Sequence, residues 1–479
     1  MKCTVNFPYS PHMEQRDLVI IGGGPAGYVG AIRASQLGAK VTVIEENKLG
    51  GVCLNSGCIP TKFLLHAADI YHSLEFAEQY GIETSTARLN LFKLQARKNS
   101  ITSRLVAGIE GLLTTNRIEV INGRAKLVSS DIVEIDTARG DNLKIRTKKI
   151  ILAAGAKPIK LAIPGADSED ILTYKEMLEL DTIPESIVIV GGGVIGVEMA
   201  TFLNRLGCKV SIIEMKSRII LTHDAEIVQV VDSALRKDGI DIYCGARVQA
   251  IEDAGMNKQV TFSINGKTEN IEAELVAITS GQRPNIEGLG LSESGIEVVN
   301  GKIQVDERMQ TNIPGIYAAG DITGGMMLAH IGFAEGKVAA ENAAGKTSVM
   351  DYQVIPECIF TSPELSGVGL TEEEAAKNYK IKVGRFPFSA SGMAMLIGET
   401  RGMVKIVTES KSGRILGIHI AGPMATTLIA EACLAIRLKL TPQEIMETIN
   451  AHPSLSEAFW EAALDVTGES LHFPPRNSK

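Results

Sequence analysis

Two cysteines, Cys53 and Cys58, stand with four residues between them in Gly50-Gly51-Val52-Cys53-Leu54-Asn55-Ser56-Gly57-Cys58-Ile59-Pro60-Thr61-Lys62. Pro60 suits the first turn of a helix, because its φ is already helical and its missing N–H needs no partner there. Phe63, Leu64, Ala67, Ile70, Tyr71 and Leu74 follow with helical apolar spacing, so a helix is predicted to start just after the pair. Cys58 then lies at the positive end of that helix, where unpaired N–H groups favour a thiolate over a thiol. A low-pKa sulfur beside a second sulfur is a thiol-exchange device. Two inert core cysteines are the bland alternative, and Gly51, Gly57, Pro60 and Lys62 at fixed offsets weigh against it.

A second pattern carrying chemistry is strand, glycine turn, helix. Leu18-Val19-Ile20-Ile21 reads as a buried strand leading into Gly22-Gly23-Gly24-Pro25-Ala26-Gly27 and a helix ending near Leu37. Gly22, Gly24 and Gly27 fit Gly-x-Gly-x-x-Gly, which lets the backbone approach a pyrophosphate and rest it on a helix N-terminus. A strand over 40–44 then ends in Glu45, 23 positions after Gly22, where an acid accepts a hydrogen bond from a ribose hydroxyl. Glu45 is preferred to Glu46 for that part. The arrangement recurs in Ile187-Val188-Ile189-Val190, a turn with Gly191, Gly193 and Gly196, a helix through Leu206, and a strand over 209–213 ending in Glu214, again 23 positions on. Two fingerprints imply two dinucleotide sites, the layout for a flavin and a nicotinamide sharing electrons. A carboxylate at Glu214 accepts from a free 2′-hydroxyl and repels a 2′-phosphate, so NAD is favoured over NADP; Arg218, four residues on, is the group that would argue otherwise.

The third pattern is Ala451-His452-Pro453-Ser454-Leu455-Ser456-Glu457. The residue before a proline is pushed out of helical conformation and the proline is expected to open a new helix, leaving His452 just outside it. Glu457, in the first turns, can reach back to one imidazole nitrogen, orient the ring and raise its basicity.

The cysteine segment resembles the redox-active stretch of the pyridine nucleotide-disulfide oxidoreductases, whose lipoamide branch reads Gly-Gly-x-Cys-Leu-Asn-x-Gly-Cys-Ile-Pro-x-Lys. His-Pro-x-x-Ser-Glu resembles the family's C-terminal signature, and the resemblance runs over about residues 15–470 with its motifs in order. It implies a Cys53–Cys58 redox disulfide, with Cys58 facing the flavin, Cys53 exchanging with substrate and Lys62 beside the isoalloxazine ring. It also implies that Glu198 pairs with Lys62, that Asp321, in Gly315-Ile316-Tyr317-Ala318-Ala319-Gly320-Asp321, contacts the ribityl chain of FAD, and that His452 serves as general base toward the disulfide of the other subunit. On the residues alone Gly320-Asp321 after a strand is more often only a turn, and His330 is left as a backbone or packing position. The implied activity is oxidation of protein-bound dihydrolipoamide to lipoamide with NAD+ reduced to NADH, by a homodimer. The implied partner is a lipoyl-bearing acyltransferase or lipoyl carrier protein of a 2-oxoacid dehydrogenase, acetoin or glycine cleavage complex. The alternatives are an NAD(P)H-dependent reductase of another small disulfide and a redox-silent FAD-binding scaffold. Mercuric reductase would be expected to end in a cysteine pair, and the last cysteine here is Cys433.

These residues need elements to hold them. At 479 residues the chain suggests about three domains of the usual 100 to 200 residues. The fold class expected is α/β, with two Rossmann-like dinucleotide-binding domains and a C-terminal α+β dimerisation domain. The expected boundaries are 1–155 (FAD, first part), 156–282 (NAD), 283–350 (FAD and central segment) and 351–479 (interface). Between the two fingerprints an amphipathic helix over Leu91–Thr115 and strand patterns at 133–135 and 143–145 read as scaffold, and 150–155 reads as a further buried strand. The second unit is expected to close with a strand at 275–281 and Arg283-Pro284-Asn285 as exit turn. Past 351, a strand at 414–420, a helix at 426–438 and a capping box at Thr441-Pro442-Gln443-Glu444 are expected.

A net charge of −8, spread rather than blocked, gives no stripe for nucleic acid or an anionic membrane. The chain lacks an 18-residue apolar span and a signal-peptide pattern, so it is expected in the cytoplasm. Seven scattered cysteines do not form a secreted disulfide framework, and no metal site is expected. Residues 1–12 carry no usable pattern, and Met13 reads as an alternative start or the end of an added extension.

Overall fold

A computed structural model describes residues 14–83 and 87–474; residues 1–12, Met13 and the last five residues lie outside the described part. The chain divides into two compact units. The first comprises the described part of Met1–Pro60, with Ala96–Ile159 and Gln282–Asp351. Its parallel core runs Ile316–Ala318, Asn142–Leu152, Glu14–Ile21, Val41–Glu45, Glu119–Leu127. The strand Ile132–Thr137 adds an antiparallel meander to the outer ends of its two neighbours. Both faces are covered at the centre, which is why 18–21, 41–45, 150–152 and 316–318 are continuous buried runs, whereas Glu119–Leu127 and the outer half of Asn142–Leu152 alternate. Leu18 and Ile20 share one core with Ala31, Ala34 and Leu113 from the helices, while Val19 and Ile21 share another with Val133, Ile135 and Ile316. The separate strand expected at 150–155 is the inner half of Asn142–Leu152, an 11-residue strand whose outer half joins the meander.

The second unit comprises the described part of Thr61–Gln95, with Lys160–Gly281 and the described part of Tyr352–Lys479. It holds a four-stranded parallel sheet in the order Leu275–Ile278, Ser186–Val190, Lys209–Glu214, Asp241–Cys244, and a three-stranded antiparallel sheet over 247–273. The expected exit turn at 283–285 is instead part of the strand Gln282–Pro284, which belongs to the first unit and pairs antiparallel with Ala156–Pro158. Proline is tolerated at both ends of this short ribbon because each strand has an edge to spare.

The C-terminal part of the second unit is a five-stranded antiparallel sheet, ordered Glu357–Ile359, Glu364–Gly369, Ile415–Gly422, Met403–Glu409, Ile381–Pro387. The Ala425–Arg437 and Glu457–Thr467 helices pack on it, and the capping box at Thr441 is formed. A charge network lies within this unit. Lys405, 2% exposed, places Nζ 2.8 Å from Asp224 Oδ1, 2.9 Å from Glu226 Oε2 and 2.7 Å from Glu372 Oε2. Arg385 bridges Glu226 and Glu372 at 2.7 Å each. Asp224 also caps the Ala225–Lys237 helix by accepting the Glu226 and Ile227 N–H groups. Burial alone would pull the Lys405 ammonium down, and its three carboxylates outweigh it, so its pKa is raised. Burial would likewise push Asp224 up, and the bond from Lys405 leads the influences that hold it below the usual range.

Lys405→Met strands the buried Asp224 carboxylate and is expected to lose about 3–5 kcal/mol in urea unfolding at pH 7. A carboxyl with a depressed folded pKa stabilises above its unfolded value and loses that contribution as pH falls through the acid range. The gap between wild type and variant should therefore narrow as pH is lowered below the ordinary aspartate value of 3.8; a gap that stays constant would contradict this account.

Candidate active site

The two glycine turns are built alike. Each follows a buried strand and ends as the N-cap of a helix, Gly24 before Pro25–Gln36 and Gly193 before Val194–Arg205. Gly22 and Gly191 have φ of +106° and +116°, where a side chain is strained. A Cβ on Gly27 would strike the Gly22 carbonyl oxygen and one on Gly196 the Gly191 carbonyl oxygen. Around Gly193 nothing lies within 4 Å, and around Gly24 only Gly51 Cα at 3.8 Å. In each motif two glycines are dictated by the chain's own packing, and the middle one faces open space before a helix N-terminus.

The acids at the ends of the second strands also match. Glu45 accepts the Gly23 N–H at 2.6 Å and the Asn47 N–H at 2.8 Å. Glu214 accepts the Gly192 and Lys216 N–H groups, both at 2.7 Å. Each carboxylate thus clamps its own glycine turn and is oriented before any ligand arrives. Arg218 Nη2 donates to the carbonyls of Leu221 and His223 at 3.2 and 3.3 Å and lies 3.7 Å from Glu373 Oε2.

The cysteine segment departs from its expected form. Cys53 lies inside a short helix, Gly51–Ser56, and Cys58 opens a second, Cys58–Ser73, with Pro60 as its third residue. Gly57 separates them, a Cβ there meeting the Val52 carbonyl oxygen at 2.9 Å, and Asn55 Nδ2 donates back to the Leu49 and Gly51 carbonyls at 2.9 Å. Gly51, at φ +60°, sits so close to Gly24 that a Cβ would come within 2.8 Å of the Gly24 Cα. The cysteines are therefore carried on the first glycine turn. Tyr28, from the helix after that turn, is pushed up in pKa by burial first and by the Cys53 sulfur second, and its ring meets Phe333 edge-on at 6.0 Å. Asp321 opens a 3-10 turn after the Ile316–Ala318 strand, and burial alone raises its carboxyl pKa. Glu335 holds the turn by accepting the Gly320 N–H at 2.6 Å. His330 is exposed near the start of the Ala329–Ala343 helix.

Within the second unit, Lys62 Nζ lies 2.9 and 2.8 Å from the two Glu198 oxygens. His452 Nδ1 lies 2.7 Å from Glu457 Oε1, and Glu457 Oε2 accepts the Ser454 N–H at 2.8 Å. Burial would raise the Glu457 carboxyl, and the bond with His452 leads the influences that bring it below its usual range. Pro453 does not open the following helix, which begins at Glu457; 453–456 forms a loop that the Glu457 carboxylate closes. Sequence reasoning missed a second such pair. Glu461, 2% exposed, has Oε1 2.6 Å from His472 Nδ1 and accepts the Ser470 hydroxyl and the Leu471 and His472 N–H groups. Its only signal was the i, i+4 spacing of Glu457 and Glu461.

Residues 16–336 match the model of the pyridine nucleotide-disulphide oxidoreductases, and 355–463 match the dimerisation domain of the same family. The chain belongs to this family. It is 42% identical over 471 residues to a dihydrolipoyl dehydrogenase of Bacillus subtilis, covering 95% of this chain and 99% of that one. The mitochondrial dihydrolipoyl dehydrogenase of Pisum sativum is 38% identical, covering 96% and 93%. Among solved structures, LpdA from Mycobacterium tuberculosis superposes with a TM-score of 0.87 at 28% identity, covering 94% of this chain and 99% of that one.

FAD and NAD(H) are the cofactors of these dehydrogenases, and the two turns suit them, with an open glycine at a helix N-terminus for each pyrophosphate and an oriented acid hydrogen-bonded to each turn. Among the described residues no helix is long and apolar enough to cross a membrane.

Gly193→Ala, with open space around it, is expected to fold normally yet weaken NAD+ binding by about tenfold, or 1.4 kcal/mol. Gly196→Ala instead collides with the chain itself and should cost about 1–3 kcal/mol of stability. Calorimetric NAD+ binding beside thermal unfolding separates the two; equal behaviour of the variants would refute the distinction.

Proposed function

We propose that this chain is a dihydrolipoyl dehydrogenase, oxidising protein-bound dihydrolipoamide with NAD+ as acceptor. The observation that carries the reading is the His452–Glu457 pair, a base held at 2.7 Å by a carboxylate in a chain that also bears the Cys53 and Cys58 segment. His452, from the second copy of a homodimer, takes a proton from one thiol of the substrate. The resulting thiolate attacks Cys53 Sγ, breaks the Cys53–Cys58 bond and releases the Cys58 thiolate. The second substrate sulfur attacks the sulfur joined to Cys53 and closes the cyclic disulfide, its proton passing to the departing Cys53 sulfur, which leaves as a thiol. FAD, when bound, would supply the two-electron chemistry by which the Cys53–Cys58 bond re-forms and NAD+ is reduced.

In this reading Gly22, Gly24, Gly27, Glu45 and Asp321 hold FAD, and Gly191, Gly193, Gly196 and Glu214 hold NAD. Lys62, paired with Glu198, lies beside the isoalloxazine ring. The FAD domain would draw on 1–155 and 283–350, the NAD domain on 156–282, and the interface domain on 351–479. A lipoyl-bearing acyltransferase or carrier protein is the natural partner, in the cytoplasm. Glu214 favours NAD over NADP.

Anaerobic mixing with dihydrolipoamide should give a long-wavelength thiolate-to-flavin band and then rapid NADH formation with NAD+ but not with NADP+. His452→Gln is expected to lower kcat by about 100- to 10,000-fold, and Glu457→Gln by less. If dihydrolipoamide leaves the flavin oxidised while NADPH reduces it, the chain is a reductase of another small disulfide.

A further inference from the structure

Phe360 follows the Glu357–Ile359 strand and meets both members of the Lys62–Glu198 pair with two different groups. Its main-chain N–H donates to Glu198 Oε1 at 3.0 Å, and its ring face lies 4.8 Å from Lys62 Nζ. The Glu198 side chain is 4% exposed and that of Lys62 30%. A lysine ammonium on a four-carbon stem can rotate about a single carboxylate without losing its charge contact. A third contact on another side restricts it. The negative face of an aromatic ring attracts a cation electrostatically, while the N–H group fixes which way the carboxylate turns.

The segment carrying Phe360 is itself held. Thr361 Oγ1 donates to the Pro363 carbonyl at 2.7 Å, and Arg401 Nη2 donates to Ser362 Oγ at 3.1 Å. Thr361 and Ser362 are buried, so the ring stands on a fixed base.

We propose that Phe360 is a positioning residue that fixes the Lys62–Glu198 charge pair and thereby sets the flavin's reduction potential. The second half rests on the reading above that Lys62 lies beside the flavin. A cation held at one place favours the more negative, reduced form of a neighbouring group; a cation free to wander toward solvent is screened and favours it less.

Phe360→Leu keeps the main-chain N–H and removes the ring, whereas Phe360→Tyr keeps both. In the holoenzyme, competitive acylation of Lys62 against the other lysines, read by mass spectrometry, should rise about three- to tenfold in Phe360→Leu, the factor expected for a contact of this kind, and stay at the wild-type level in Phe360→Tyr. The flavin's midpoint potential should move negative in the leucine variant alone, and kcat for NADH formation should fall about three- to tenfold with KM for NAD+ unchanged. Should Phe360→Leu not retain flavin, Phe360→Met, which also lacks the ring, takes its place. Wild-type labelling of Lys62 or a wild-type potential in the ring-less variant overturns the proposal. The labelling and the potential do not use dihydrolipoamide, so a chain that fails to oxidise that substrate yet shows both of these changes loses the functional reading and keeps this one.

Discussion

Two places where the backbone leaves no room for a Cβ govern the rest of the structure. Gly27 packs on the carbonyl of Gly22, and Gly196 on that of Gly191, so each helix starts directly against the end of the strand before it. That approach points the free N–H groups of the helix into open space beyond Gly24 and Gly193. It also provides the shelf on which Gly51 rests, and with it the short helix bearing Cys53. The cysteine segment is thus positioned by the same backbone contact that shapes the first nucleotide turn.

Carboxylates then fix what the glycines allow. Glu45, Glu214, Glu335, Glu198, Glu457 and Glu461 each accept at least one main-chain N–H. In every case the acid comes from a part of the chain remote from the N–H or across a loop from it. Such bonds are charge-assisted and short, and they leave lone pairs for a second partner. Glu198 and Glu457 use theirs for Lys62 and His452, so the same group anchors the backbone and sets a functional side chain. Removing one of these acids therefore loosens a loop as well as deleting a charge, and kinetic effects at these positions combine the two.

Much of the site was legible from local pattern. Strand, glycine turn and helix are adjacent in the chain, and the requirement for glycine at fixed offsets is a property of that short segment, so both nucleotide turns and the acids Glu45 and Glu214 could be found without knowing the fold. The His452–Glu457 pair was legible for the same reason, both residues lying within one loop and one helical turn. What misled was Pro453, which suggested a helix start but belongs to a loop closed by Glu457, because a fixed φ is compatible with several local structures and the hydrogen bonds around it choose among them.

The sequence by itself determined the two nucleotide turns, the acids that close them, the cysteine pair and the histidine dyad, because each is encoded by residues within reach of one another along the chain. Only the tertiary structure decided that the cysteine segment is two helices, that Gln282–Pro284 is a strand, that Lys405 ties Asp224, Glu226 and Glu372 together, and that Phe360 completes the pair formed by Lys62 and Glu198. Apolar periodicity reports that a residue is buried without naming its neighbour. Contacts between residues more than a hundred positions apart are chosen by how whole elements pack.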